Sequence, residues 1–144
     1  MEWLMAELVK NPRVMKKVQE EVRRVVGKKS KIDMEDINQM SYFKCVIKEN
    51  LRLHPPVALL VPRETSTSVE MGGYHIPAKA QVFKRVSWNG IWASTEYVIA
   101  NLLYWFDWKL PGGALGEDLD MSEAHGLTVS KKLPFHLLPT PYSP

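Results

Sequence analysis

The sequence predicts a mainly α chain with a small β part, an α+β domain in which the helices come first. Three observations carry that prediction. Residues 1–54 hold several stretches whose apolar residues recur at helical spacing, each closed by a breaker or a cap. Residues 55–83 switch to short β-type runs around a Gly72-Gly73 pair. A last helical pattern occupies 94–110 and a proline-rich, extended tail fills 111–144. At 144 residues the chain suits one domain. With 45% hydrophobic and 24% charged residues it has the composition of a chain that folds.

The first stretch, "MEWLMAELVK", sets Trp3, Leu4, Leu8 and Val9 near one helical face, and Asn11-Pro12 breaks it. Asn11 is a candidate N-cap and Pro12 suits a first helical position. The next helix repeats Val14, Met15, Val18, Val22, Val25 and Val26, with Gly27 as its stop. Lys16 to Glu20 and Glu20 to Arg24 are opposite charges four apart on its outer face. "DMED" offers Asp33 as a cap with an acidic first turn, opening a short helix that runs to about Met40. Ser41 is the expected cap of a helix that turns Tyr42, Phe43, Val46, Ile47 and Leu51 inward and ends before Pro55. Beyond it the glycine pair predicts a hairpin. Residues 84–93, around "KRVSWNGIW", show no clear period. The last helix, from about Ser94 to Phe106, is expected to use Val98, Leu102, Trp105 and Phe106 as its apolar positions. "GLTVS" and "PFHLL" are two short extended runs in the tail.

Several function classes are disfavoured. No apolar run reaches the roughly 18 residues of a membrane span, and the N-terminus has neither the basic region nor the cleavage site of a signal peptide. Net charge is only +3, and the basic run "VRRVVGKKSK" reads as a solvated helix end, so no nucleic-acid partner is expected. The single cysteine, Cys45, can form neither an internal disulfide nor a zinc site alone, which fits a reducing compartment. His54, His75, His125 and His136 show no mutual ligand spacing. There is no phosphate loop, dinucleotide fingerprint or serine elbow. The aromatic cluster around 104–108 reads as core rather than as a base-stacking platform. Glu49 and Arg52, three apart in "IKENLRLHPP", share one helix face. By themselves they read as an exposed ion pair worth a few tenths of a kcal/mol.

The neighbours of that pair alter its meaning. "KENLRLHPP" is followed by "VPRET" and "GYHIP", and the ordered series resembles the cytochrome P-450 family of haem-thiolate monooxygenases, most closely its plant microsomal branch. "WLMAELVKNPRVMKKVQEEVRRVVG" looks like the end of the family's long oxygen-activating helix and the helix after it. "SYFKCVIKENLRLHPP" is similar to the helix bearing the E-x-x-R signature. "ANLLYWFDWKLPGG" and "DLDMSEAHGLTVSKKLPFHL" resemble the last helix and closing strands. The likeness covers nearly the whole chain and implies the C-terminal portion of the cytochrome P-450 fold. It also implies roles by position. Glu49 and Arg52 would belong to the buried E-x-x-R network beneath the haem. Arg63 would bind a haem propionate. Val57, Ala58, Leu59, Leu60 and Val61, with Gly126, Leu127 and Thr128, would line the substrate pocket. The partners implied are an NADPH-dependent cytochrome reductase and a small lipophilic substrate, at the cytosolic face of the endoplasmic reticulum membrane.

One part of the family pattern is missing. The iron ligand of the family is a cysteine in a loop of the form F-x-x-G-x-R-x-C-x-G, just before the last helix. Here the chain passes from "QVF" through "KRVSWNGIW" straight into that helix. The fold is therefore expected to be incomplete and internally deleted, with no metal ligand and no catalytic residue assigned. Haem binding would be weak or absent. Cys45, one turn before Glu49, is expected to be a packed core thiol. The family's membrane anchor is also missing from this sequence, which predicts a cytoplasmic or poorly soluble chain.

Overall fold

The structure, a computed structural model, describes residues 1–56, 63–82, 93–124, 126 and 128–143. The apolar spacing of the first third becomes four helices: α1 (Glu2–Lys10), α2 (Pro12–Val26), α3 (Met34–Gln39) and α4 (Ser41–Leu53). Four strands follow: β1 (Arg63–Glu64), β2 (Val69–Met71), β3 (Tyr74–Ile76) and β4 (Gln81–Val82). Helix α5 (Ala93–Trp105) leads directly into β5 (Phe106–Lys109). Two 3-10 turns, Pro111–Gly113 and Gly116–Asp118, and strands β6 (Glu123–Ala124), β7 (Ser130–Lys131) and β8 (Leu138–Pro141) complete the order. The mainly α, α+β expectation holds. The stretch 84–92, expected to be aperiodic, lies outside the described residues.

Helix α2 is the hub. Its buried face, Met15, Val18, Val22 and Val26, meets Leu4, Met5 and Leu8 of α1 and Phe43, Ile47 and Leu51 of α4. The α5 residues Ile99, Ala100, Leu103 and Tyr104 close the same core. Ile32, Ile37 and Met40 fill the corner around α3. Each such side chain contributes about 1.5–3 kcal/mol by leaving water. The chain can stop α2 sharply because Gly27 takes φ 62°, a conformation a side chain would strain. The Tyr104 hydroxyl then donates to the carbonyls of Gly27 and Lys29, at 2.8 and 3.1 Å, fastening α5 to that turn.

Among the described residues the strands make four antiparallel pairs: β1–β4, β2–β3, β5–β8 and β6–β7. The hairpin at Gly72-Gly73 forms as expected, with φ 59° and 82° at the two glycines. The β5–β8 pair is pinned to α2 by polar contacts. Gln19 donates to the Phe106 carbonyl (3.0 Å), Arg23 pairs with Asp107 (2.9 Å), and Arg23 lies over the Tyr142 ring at 3.6 Å.

Several local expectations change. Asn11 stands at the N-cap of α2 with Pro12 as its first residue, but its side-chain amide donates back to the Glu7 carbonyl at 2.9 Å and to the Glu7 carboxylate instead of bonding the helix start. Ser41 does not cap α4. Glu21 of α2 accepts from the amides of Tyr42 and Phe43, at 3.1 and 2.7 Å, so a tertiary contact replaces the local cap. Helix α5 ends at Trp105 rather than reaching residue 110, because Phe106–Lys109 pairs with β8. Its inward face is also rotated. Val98 is exposed while Ile99, Ala100, Leu103 and Tyr104 are buried. The helix is apolar nearly all round, so spacing alone does not select a face. In the tail, β8 begins only at Leu138, so most of the "PFHLL" run precedes it, and β7 pairs with β6.

Candidate functional site

Helix α4 carries the residues of most interest. Its inward row leaves Glu49 and Arg52 on the outer face, where they form a two-pronged ion pair. Arg52 Nε lies 2.8 Å from Glu49 Oε2, and Nη2 lies 2.7 Å from Oε1. The hydrogen bond from Arg52 holds the Glu49 carboxyl below the usual carboxylate range, and the same bond raises the guanidinium. The two side chains are 55% and 66% exposed. In this chain the signature pair is therefore formed but lies at the surface, rather than inside a buried network. An ion pair so open contributes little to stability.

Cys45 lies on the same helix, and it is exposed. The core-thiol expectation fails for a geometric reason. With about 100° per residue, Cys45 sits roughly 200° around the helix from its buried neighbours Phe43 and Ile47. It borders an open groove of about 380 Å³ between α1, α2 and α4, whose wall also includes Leu4, Leu8, Val46, Glu49 and Asn50. Asn50 is 9% exposed, and its side-chain oxygen accepts no hydrogen bond.

Arg63 opens β1 opposite Val82 and is exposed. Val57, Ala58, Leu59, Leu60, Val61 and Leu127 lie outside the described residues. Gly126 and Thr128 are exposed. The amide of their neighbour Val129 donates to the Pro56 carbonyl at 3.0 Å. Trp3 donates to the Val129 carbonyl at 3.3 Å. These bonds set Val129 beside Pro56, just past the end of α4.

Sequence reasoning missed a cluster at that same end of α4. His54 lies between Glu7 of α1 and Glu123 of β6, and its ring stacks on Trp3. The partners are 47 and 69 residues away in sequence, so no local spacing signals them.

A haem requires an axial ligand, cations for its propionates and an enclosing slot. The described residues do not supply that set. The chain's one cysteine is on the outside of α4. Among the described residues no group of three His, Cys, Asp or Glu side chains could hold a metal. Arg63 and Arg52 face solvent. Also among the described residues, no helix is long and apolar enough to cross a membrane.

Comparison with known proteins places this geometry. The sequence profile of the cytochrome P-450 family matches residues 1–89. The chain is 49% identical to a phenylacetaldehyde oxime monooxygenase of Prunus mume, over 99% of this chain and 36% of that protein. It is 44% identical to cytochrome P-450 71A1 of Persea americana, over 96% of this chain and 37% of the relative. For cytochrome P-450 71B26 of Arabidopsis thaliana the identity is 40%, over 99% and 38%. The chain thus spans a little over a third of the length of these relatives. The three alignments run over 190, 185 and 188 positions, more than the 144 residues present here. Within the matched span the relatives therefore carry residues that this chain lacks. The profile match and these identities show that the chain belongs to the cytochrome P-450 family, among its plant members, and is a piece of that fold.

Proposed function

We propose that this chain descends from haem-dependent monooxygenases that hydroxylate small lipophilic metabolites with O2 and NADPH-derived electrons, and that the polypeptide itself performs no such turnover. The family's cofactor is haem, and its chemistry depends on a cysteine thiolate on the iron. One observation carries the second half of the reading. The only sulfhydryl, Cys45, is on the outer face of α4, and the sequence before α5 contains no cysteine loop. By family resemblance Arg63 would hold a propionate and Glu49 with Arg52 would support the haem core. Val57, Ala58, Leu59, Leu60, Val61, Gly126, Leu127 and Thr128 would face a substrate. The Prunus mume relative is named for an aromatic oxime, which favours a small, largely apolar substrate of that size for the parent enzyme. Its electron donor would be a reductase at the endoplasmic reticulum membrane.

The reading is tested by titrating the purified chain with haem and recording the reduced, carbon monoxide-treated spectrum. No stoichiometric thiolate-type Soret band is expected, and such a band would overturn the inactive assignment.

A second reading is favoured by the exposed basic side of α2, where Lys16, Lys17 and Arg24 face solvent. Here the chain is a non-catalytic interaction module that pairs with a full-length relative or with the reductase. Salt-sensitive capture of either, weakened by Lys16→Glu with Lys17→Glu, supports this reading; no capture at low salt removes it.

A further inference from the structure

His54 closes α4 with its side chain only 12% exposed. Its Nε2 lies 2.8 Å from Glu7 Oε1 of α1, and its Nδ1 lies 3.2 Å from Glu123 Oε1 of β6. The ring stacks on Trp3, with centroids 4.1 Å apart and planes 4° from parallel. Lys131 of β7 sets its Nζ 5.2 Å from the Trp3 ring centre, and Met1, which carries the N-terminal amine, lines the small cavity beside the ring. Asn50 of α4 and Thr95 of α5, both neutral, line the same cavity. The second oxygen of Glu7 accepts from Asn11 at 3.2 Å.

Ionised carboxylates only accept hydrogen bonds, and a neutral imidazole has one donor where the charged ring has two. Both contacts are therefore hydrogen bonds only while the ring carries both protons. Remove one, and a nitrogen lone pair faces a carboxylate oxygen at hydrogen-bond distance in a partly buried site. We infer that His54 is a proton-dependent clamp: the charged ring ties the β6–β7 segment to α1 and α4, and loss of its proton loosens that segment.

The physical consequence is local. Among the bonds that hold β6–β7 against the helices are Val129 N–H to the Pro56 carbonyl (3.0 Å) and the Trp3 indole to the Val129 carbonyl (3.3 Å). Within the segment, Lys132 N–H donates to the Ser122 carbonyl at 2.9 Å. Once His54 lets go of Glu123, these bonds carry the load. Histidine is suited to such a change because its charge alters between about pH 5 and 8.

The test is amide hydrogen exchange of the whole chain from about pH 5 to 8, corrected for intrinsic exchange, with the His54 ring followed by NMR in the same samples. Protection at Val129 and Lys132 should fall about tenfold, the equivalent of roughly 1.4 kcal/mol, with the midpoint of the His54 ring titration. Amides of α2 should keep theirs. Glu123→Gln, which leaves the ring and the helical core in place, should remove the pH dependence at Val129 and Lys132, and His54→Gln should do the same. Protection that stays flat while the ring titrates would overturn the inference. So would a pH dependence that survives unchanged in Glu123→Gln.

Discussion

Glu21 reaches from the middle of α2 to the first free amides of α4, accepting from Tyr42 at 3.1 Å and Phe43 at 2.7 Å. One carboxylate satisfies two of the orphan donors of a helix start and also sets negative charge at the positive end of the helix dipole. Replacing it by alanine leaves both amides without a partner in a half-buried place. Glu21→Ala is expected to destabilise the fold by about 1–2 kcal/mol, with Glu21→Gln costing less because an amide oxygen still accepts. Chemical denaturation of the two variants beside the parent checks the order. The sequence pointed to Ser41 instead, because capping signals are read from neighbours, and an acceptor some twenty residues upstream leaves no local mark. His54 has the same history: its partners Glu7 and Glu123 become neighbours only through folding. Asp33 is the opposite case, since its partner is three residues away and the pattern is visible in "DMED".

At the scale of elements, α3 shows what such a local signal determines. The Asp33 side chain accepts from the Asp36 amide at 2.9 Å, and the Asp36 side chain accepts from the Asp33 amide at 3.1 Å, a complete capping box. The hydrogen bond from Asp36 holds the Asp33 carboxyl below its ordinary value, with Lys29 adding to the effect. A value depressed in the folded state means the unfolded chain binds the proton more readily. The contribution is therefore full above the usual carboxylate range, near pH 4, and is lost as the pH falls through the lower titration of folded Asp33. On acidification α3 should fray before α2, seen as loss of amide protection at Ile37 while Val22 keeps its own. Asp33→Asn, which still caps but does not ionise, should flatten that acid response. Helix α5 was legible in where it starts and not in its orientation. Val98 and Ile99 are equally apolar in sequence, and only the position of α2 decides that Ile99 is buried and Val98 is not.

Across the whole molecule, the helices share one core while much of the sheet material stands outside it. Val69, Met71 and Tyr74 on the β2–β3 hairpin are 43%, 63% and 77% exposed. The order of elements and the family were readable because periodicity and the E-x-x-R series are carried within short windows. Which faces stay uncovered was not readable, because burial is set by packing partners, and the relatives hold residues within the matched span that are absent here. Glu49, Arg52 and Cys45 lie on that uncovered side of α4, which fixes what haem can do with this chain. The groove that Cys45 borders is walled in part by Leu4, Leu8 and Val46, and apolar wall of that kind takes up a flat hydrophobic molecule. Any haem bound should show a broad, non-thiolate spectrum, and Cys45→Ser should leave both the spectrum and the amount bound unchanged. Parallel haem titrations of the parent chain and Cys45→Ser decide the matter. A thiolate band that disappears in the serine variant would place the α4 sulfur on the iron and overturn this expectation.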